Sequence, residues 1–442
     1  MSARSRHQIV LAGLLGSALG LAAACNPAPM PFEAGDHVVI IGNALADRMQ
    51  HDGWLEAYLQ TELPELELVF RNQGFAGDRI DHRPRVRGFP GADEYLAMSQ
   101  ADVIFAMFGY NESFADEPDE YGAAVARWIE HTQGLDYSGR GAPMIVLFSP
   151  IAHEDLGDPN LPDGGDNNAR LAAYAEAARA AASAKGVRFV DLLGPSQELY
   201  AAADVPLTIN GIHLGKEGNR QIAVVIVEDL LGRSPGASNA RLEAVREAVL
   251  DKNWHWHNRF RTTDGNDVWG SRSTLEFTDG QNNFDVLQHE LAQLDVMTAN
   301  RDPVIWAAAR GESIKPDDFN VPASIEVITN LGEPQFQDGV SVTGTLDFLT
   351  AEEGIDRMTL ADGMAANVFA SEEMFPELVN PVQLGVDSRG RLWVATWATY
   401  PKWEPSKTMD DRLLILPDEN RDGVADEAIT FAYVHNPTGF EF

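Results

Sequence analysis

From residue 38 onward, short apolar runs alternate with longer amphipathic stretches. Residues 38–41, 66–70, 103–107, 144–148 and 187–190 are near-continuous hydrophobic segments bounded by turn residues, the pattern of strands buried on both faces. Between them, residues 47–62, 120–131, 167–185 and 218–231 repeat their apolar positions with helical spacing. The alternation predicts a parallel sheet covered on both faces by helices, a three-layer α/β/α sandwich spanning residues 32–235. Such sheets gather their ligands at the carboxyl ends of the strands, so the loops after Ile41, Phe70, Met107 and Phe148 are expected to carry the site.

Residues 236–311 read differently, as a helical, aromatic-rich extension packed on the first domain, including N-W-H-W-H-N-R-F and V-I-W-A-A-A-R-G. His255 and His257 would share a face on a strand but not on a helix, so the run is expected to form an aromatic plug. A zinc site and a sugar-stacking rim are the alternatives. Residues 312–352, with scattered Pro, Gly and Asp, predict a linker carrying a short hairpin. From 353 to 442 two strand pairs are expected, around D-S-R-G and D-E-N-R-D-G, and two hairpins alone leave sheet edges open.

Composition narrows the function. A chain of 442 residues with 44% hydrophobic content can bury more than one core, and a formal charge of -34 repels phosphate backbones, so nucleic acid is not an expected partner. Residues 1–25 combine a basic head, an apolar middle and small residues before Cys25, an export signal. It resembles a bacterial lipoprotein signal, which implies membrane attachment through a lipidated Cys25; ordinary cleavage after the alanine run is the alternative. Either way the expected location is outside the cytoplasm, in the periplasm or anchored as a lipoprotein. Cys25 is the only cysteine, which excludes an internal disulfide, a Cys-rich zinc site and a C-x-x-C-H haem attachment in this chain.

Four blocks, in order, carry the chemistry: I-G-N-A-L at 41–45, R-N-Q-G-F-A-G-D-R at 71–79, F-G-Y-N-E at 108–112 and N-G-I-H-L at 210–214. Together they resemble the SGNH, or GDSL-like, hydrolase family, whose members have an α/β sandwich and hydrolyse esters, often acetyl groups on carbohydrates, with a Ser-His-Asp set. The resemblance implies Ala44 at the nucleophile position, His213 as general base and Asn210 in place of its acidic partner. It implies Gly77 and Asn111 as oxyanion donors, with Asn43 beside them on the substrate side.

A serine attacks only when an imidazole takes its proton and a carboxylate steadies that imidazole, so Ala44 and Asn210 remove two of three functions. The expected function is a glycan-binding or docking module for a small-molecule or carbohydrate ligand, without a cofactor in the first domain. The alternative is an active ester hydrolase with a relocated nucleophile: Ser113, Ser149 or, less well placed, Asp47.

Asp418, Asn420, Asp422 and Asp426, with Gly423 at the bend, present oxygen at spacings that suit Ca²⁺ or an ordinary Asp/Gly-rich turn. F-A-S-E-E-M-F-P-E-L-V-N-P-V-Q-L, D-S-R-G-R-L-W-V-A and H-N-P-T-G-F-E-F resemble the opening blade of planctomycete-type membrane-bound dehydrogenase-like β-propellers. That resemblance implies an incomplete propeller in a fragment of a larger redox-type protein whose haem-binding segment is not in this chain.

Overall fold

The computed structural model describes residues 28–236, 239–261, 265–276, 278–326, 336–337, 340–341, 349–400 and 403–442. Residues 1–25, where an export signal is expected, and much of the expected linker lie outside the described residues.

The first unit runs β1 (His37–Gly42), α1 (Ala44–Asp52), α2 (Trp54–Glu62), β2 (Val69–Asn72), α3 (Ala92–Met98), β3 (Val103–Met107), α4 (Pro118–Gln133), β4 (Met144–Phe148), α5 (Gly165–Lys185), β5 (Arg188–Val190), α6 (Leu193–Ala202) and α7 (Lys216–Leu231). The five strands form one parallel sheet in the order β2-β1-β3-β4-β5. Alternate residues of each strand feed two cores. Val38 and Ile40 pack with Phe70, Phe105 and Phe148 beneath α2 and α7, while Val39 and Ile41 pack with Ile104, Ala106 and Leu147 beneath α4 and α5. Burial on both faces explains why these strands read as unbroken apolar runs.

The helix expected at 47–62 is two. Gly53 closes α1 in the left-handed region at φ 69°, and a Cβ there would meet Val249 Cγ1 at 3.1 Å.

Beyond residue 236 the chain forms α8 (Ala240–Arg261), α9 (Asn283–Ala299) and α10 (Asp302–Ala309). These helices cover the outer edge of β2. Three carbonyls spaced two apart on that edge each receive a donor: Leu68 from Trp306 Nε1 at 2.9 Å, Phe70 from Lys252 Nζ at 3.1 Å and Asn72 from Trp256 Nε1 at 2.6 Å. An open strand edge is a template for unwanted pairing, and here the extension's polar tips occupy it. Lys252 is fully buried and also binds Glu56 at 2.7 Å, while Arg71 and Asp302 form a two-pronged pair at 3.0 and 2.7 Å. Trp256 and Phe260 stack in a small aromatic cluster with Tyr95, Phe75 and Phe89, the plug expected from the sequence.

The described part of the linker contains a short antiparallel pair, β6 (Phe336–Gln337) and β7 (Val340–Ser341), then α11 (Ala351–Asp356). Strands β8 (Pro381–Val386), β9 (Leu392–Thr396), β10 (Arg412–Leu416) and β11 (Ile429–Tyr433) form a single four-stranded antiparallel sheet in sequence order. The two expected hairpins thus join through β9 and β10, and Val394, Leu414 and Leu416 form its small core.

Candidate functional site

The site is built where the strand order reverses, between β1 and β3. Gly42 ends β1 at φ 149°, and a Cβ there would lie 2.3 Å from Met107 O, so the close approach of the two strand ends needs glycine. Asn43 follows, its N–H donating to Met107 O at 3.2 Å and its Oδ1 accepting from Leu45 N at 3.3 Å as the cap of α1. Ala44 is the first residue of the helix, at the mouth of the crevice.

The loop after β2 is locked from two sides. Gly74 lies against α1, where a Cβ would be 2.4 Å from Asp47 N. Asp78 is buried and gripped by Arg85 at 2.7 and 2.9 Å, with the guanidinium 3.8 Å from the Phe75 ring centre. From the loop after β3, Asn111 Nδ2 donates to Ala76 O at 3.0 Å and Asp78 O at 2.8 Å. Its neighbour Glu112, buried, accepts from Ile80 N at 2.8 Å and Gly109 N at 2.9 Å.

This corrects the reading of Asn111. Both hydrogens of its amide bind loop carbonyls, so in this arrangement the side chain fastens the loop and offers no donor to an oxyanion. Gly77 is exposed and does not line the cavity, although Ala76 beside it does; in this block Gly74 is the glycine with a steric demand.

His213 stands on a loop held by a buried carboxylate. Glu154 accepts from Leu207 N at 3.0 Å, Thr208 N at 2.7 Å and Thr208 Oγ1 at 2.6 Å. Asn210 Oδ1 accepts from the backbone N–H groups of Ile212 and His213, at 3.4 and 3.1 Å, which fixes it as an oxygen; His213 Nδ1 therefore donates to it at 3.1 Å. In the neutral ring Nε2 is then the unprotonated nitrogen. Burial pushes the His213 pKa below its ordinary value, and the charge of Arg48 pushes the same way.

Arg48 escaped the sequence reading. It lies one helical turn beyond Ala44, makes no ion pair among the described residues, and its Nε is buried without a hydrogen-bond partner. The signal available was its i, i+4 spacing from Ala44.

Ala44, Asn43, Asn111 and His213 line one cavity of about 230 Å³ with Leu45, Met107, Tyr110 and Ile151. The lining is largely apolar. Ser149 also lines it, but its Oγ donates to Asp191 Oδ1 or Pro150 O and accepts from Leu192 N at 2.7 Å and Leu193 N at 3.0 Å. Ser113 Oγ donates to Tyr110 O at 2.7 Å and does not line the cavity; neither does Asp47. A larger cavity, about 350 Å³, opens by α3 and contains none of the four blocks' Ala44, Asn111 or His213.

In the C-terminal sheet, Asp418 accepts from Asp422 N and Gly423 N, Asn420 from Asp422 N, Asp422 from Val424 N and Asp426 from Glu419 N. These oxygens serve their own loop. The one group of three potential metal-ligating side chains found among the described residues is elsewhere, at Asp47, His51 and His257. His257 is thus paired with α1 rather than with His255, whose Nδ1 donates to Asp251 O at 2.8 Å.

Residues 42–221 match the model of the GDSL-like Lipase/Acylhydrolase family, and residues 350–442 match that of a domain of unknown function, DUF7133. The chain therefore carries a GDSL-like hydrolase domain followed by a DUF7133 domain. No curated protein matches it.

Among solved structures, BT4096, a gut microbial diltiazem-metabolizing enzyme, is 19% identical with a TM-score of 0.36, the match covering 46% of this chain and 48% of that one. This chain thus spans about half the length of that enzyme. The acetylxylan esterase Axe2 from Geobacillus stearothermophilus is 17% identical with a TM-score of 0.35, over 46% of this chain and 96% of that one. LAE5, an α/β hydrolase from the metagenome of Lake Arreo, Spain, is 20% identical with a TM-score of 0.34, over 45% and 96%.

Proposed function

We propose that the first domain is a binding module that retains the cavity of a GDSL-like ester hydrolase without its covalent chemistry, and that it holds a short acyl group presented on a carbohydrate. The observation that carries this reading is the pairing of Ala44 and His213 in one cavity whose only serine among the described residues, Ser149, spends its hydroxyl on Asp191 and two backbone N–H groups. A methyl group cannot attack a carbonyl, and the hydroxyl of Ser149 has no hydrogen bond to an imidazole among the described residues to activate it. A cavity of about 230 Å³ with an apolar lining suits an acyl chain and part of the ring that bears it.

The test is an assay of the full chain with aryl acetates and acetylated xylo-oligosaccharides, beside binding of the same sugars by calorimetry. The reading expects binding that weakens in Tyr110→Ala and no turnover above background. Hydrolysis that vanishes in His213→Ala would overturn it in favour of an active hydrolase.

Two further readings belong here. The C-terminal sheet, four strands in sequence order with one buried face, suits the first blade of a β-propeller, and lipidation of Cys25 would tether the chain to a membrane. Metabolic labelling with a fatty acid analogue, lost in Cys25→Ser, tests the second.

A further inference from the structure

Asp47 and His51 are four residues apart on α1 and therefore share a face; α8 brings His257 opposite them. One ligand atom from each of the three lies within 4.8 Å of the others. The two imidazole rings sit 5.0 Å apart, centre to centre, at 72°, an edge-on arrangement in which their nitrogens can converge on one point. A tetrahedral zinc site with bonds near 2.1 Å has ligand atoms about 3.4 Å apart, so rotamer adjustments of about 1 Å would close the group on an ion.

The cluster has spare coordinating capacity. His257 Nδ1 is buried with no hydrogen-bond partner, a state that costs stability unless something satisfies it. Asp47 Oδ1 takes a hydrogen bond from Gln50 at 3.1 Å, whereas Oδ2 has only the Arg261 guanidinium, 4.0 Å away, among the described residues. Arg48 and Arg261 add positive charge nearby and weaken cation binding, Asp52 opposes them, and His51 is exposed, giving an ion a path from solvent.

We propose that Asp47, His51 and His257 bind one divalent transition-metal ion of the zinc class, with a solvent molecule completing the coordination, and that the ion pins α1 to α8. The site is separate from the acyl cavity, which none of the three residues lines, and it does not depend on the proposed binding function. Two imidazoles and one carboxylate are borderline ligands that favour Zn²⁺ or Co²⁺ over Ca²⁺ or Mg²⁺. Because α1 carries Ala44 and Arg48, the ion would stiffen the helix that forms one wall of the cavity.

The experiment uses the full chain in a Cys25→Ser background, stripped with a chelator, and follows Zn²⁺ by calorimetry, Co²⁺ by visible absorption and thermal melting with and without Zn²⁺. The expected result is one equivalent of metal, a Co²⁺ spectrum of tetrahedral or five-coordinate nitrogen and oxygen ligation, and a higher Tm with Zn²⁺. Affinity should fall by more than roughly tenfold in His257→Ala and in the near-isosteric Asp47→Asn, and stay unchanged in His131→Ala, on an exposed helix face. Asp47→Asn keeps the result interpretable should His257→Ala fail to fold. No binding at about 100 µM Zn²⁺, or equal affinity in wild type, His257→Ala and Asp47→Asn, would overturn the proposal.

Discussion

His213 Nδ1 donates to Asn210 Oδ1 at 3.1 Å, so an amide oxygen holds the imidazole. The geometry selects the same tautomer that a carboxylate would, with Nε2 unprotonated, but supplies no negative charge to stabilise an imidazolium.

The first prediction is a titration. The His213 Hε1 resonance should titrate below 6.5, because burial and Arg48 both disfavour the charged ring. Arg48→Gln should raise the midpoint, and Asn210→Asp should raise it further, by about 1–3 pH units. Stability carries the same sign. The unfolded chain binds this proton first, so the contribution of His213 is complete above pH 6.5 and declines as the pH falls below it. A midpoint unchanged in Asn210→Asp would show that the two side chains are not in contact.

The second prediction tests the proposed roles of residues 44 and 210. Ala44→Ser alone should give slow release of aryl acetate product, and adding Asn210→Asp should raise kcat, by up to about 10⁴-fold on the scale of carboxylate-to-amide changes in serine proteases. The double variant should still trail a native esterase, since both hydrogens of Asn111 are engaged and a missing oxyanion donor costs about 10²–10³ in rate. A folded double variant with no activity would show that residue 44 and His213 are not in reacting geometry.

The third prediction concerns the turn that places Ala44. Gly42→Ala puts a methyl group 2.3 Å from Met107 O at a φ of 149°, and neither β1 nor β3 can retreat without breaking the centre of the sheet. The expected loss is about 3 kcal/mol or more, read from urea denaturation. A shift below 1 kcal/mol would mean the two strand ends are looser than the geometry implies.

Which features were legible in the sequence follows from what each depends on. The strands at 103–107 and 144–148 match residue for residue, because a strand buried on both faces writes its whole length in apolar residues. β2 was expected at 66–70 and lies at Val69–Asn72; residues before it form a turn with Glu67 at positive φ, and the edge position lets polar Arg71 and Asn72 pair with β1. α3 and α6 are short and their apolar spacing is weak, so the pattern did not announce them. Asn43, Ala44, Asn111 and His213, named from the blocks, line the cavity, whereas Gly77 does not and Met107, Ser149, Pro150 and Ile151 come from outside them. What Asn111 donates to, and the meeting of His51 with His257, depend on loop conformation and on helix packing between distant segments, which no local pattern records.

The last prediction tests whether α8 to α10 belong to the first domain or merely follow it. The family match ends at residue 221, yet carbonyls of Leu68, Phe70 and Asn72 find donors in Trp306, Lys252 and Trp256. Trp256→Phe keeps most of the packing and removes one donor; leaving Asn72 O unpaired should cost about 1–3 kcal/mol. Lys252→Met should cost more, about 3–5 kcal/mol, because Glu56 would be left buried opposite an apolar chain. Combining it with Glu56→Gln should recover much of that loss, since burial raises the Glu56 pKa and lowers that of Lys252, a sign that each charge is tolerated only through the other. Ending the chain after residue 235 removes Trp306, Lys252 and Trp256 from the β2 edge and leaves Asn72 O without its donor, which should give a protein that aggregates or dimerises, measured by light scattering against the intact chain. A stable, monomeric truncation would show that the edge is protected without the extension.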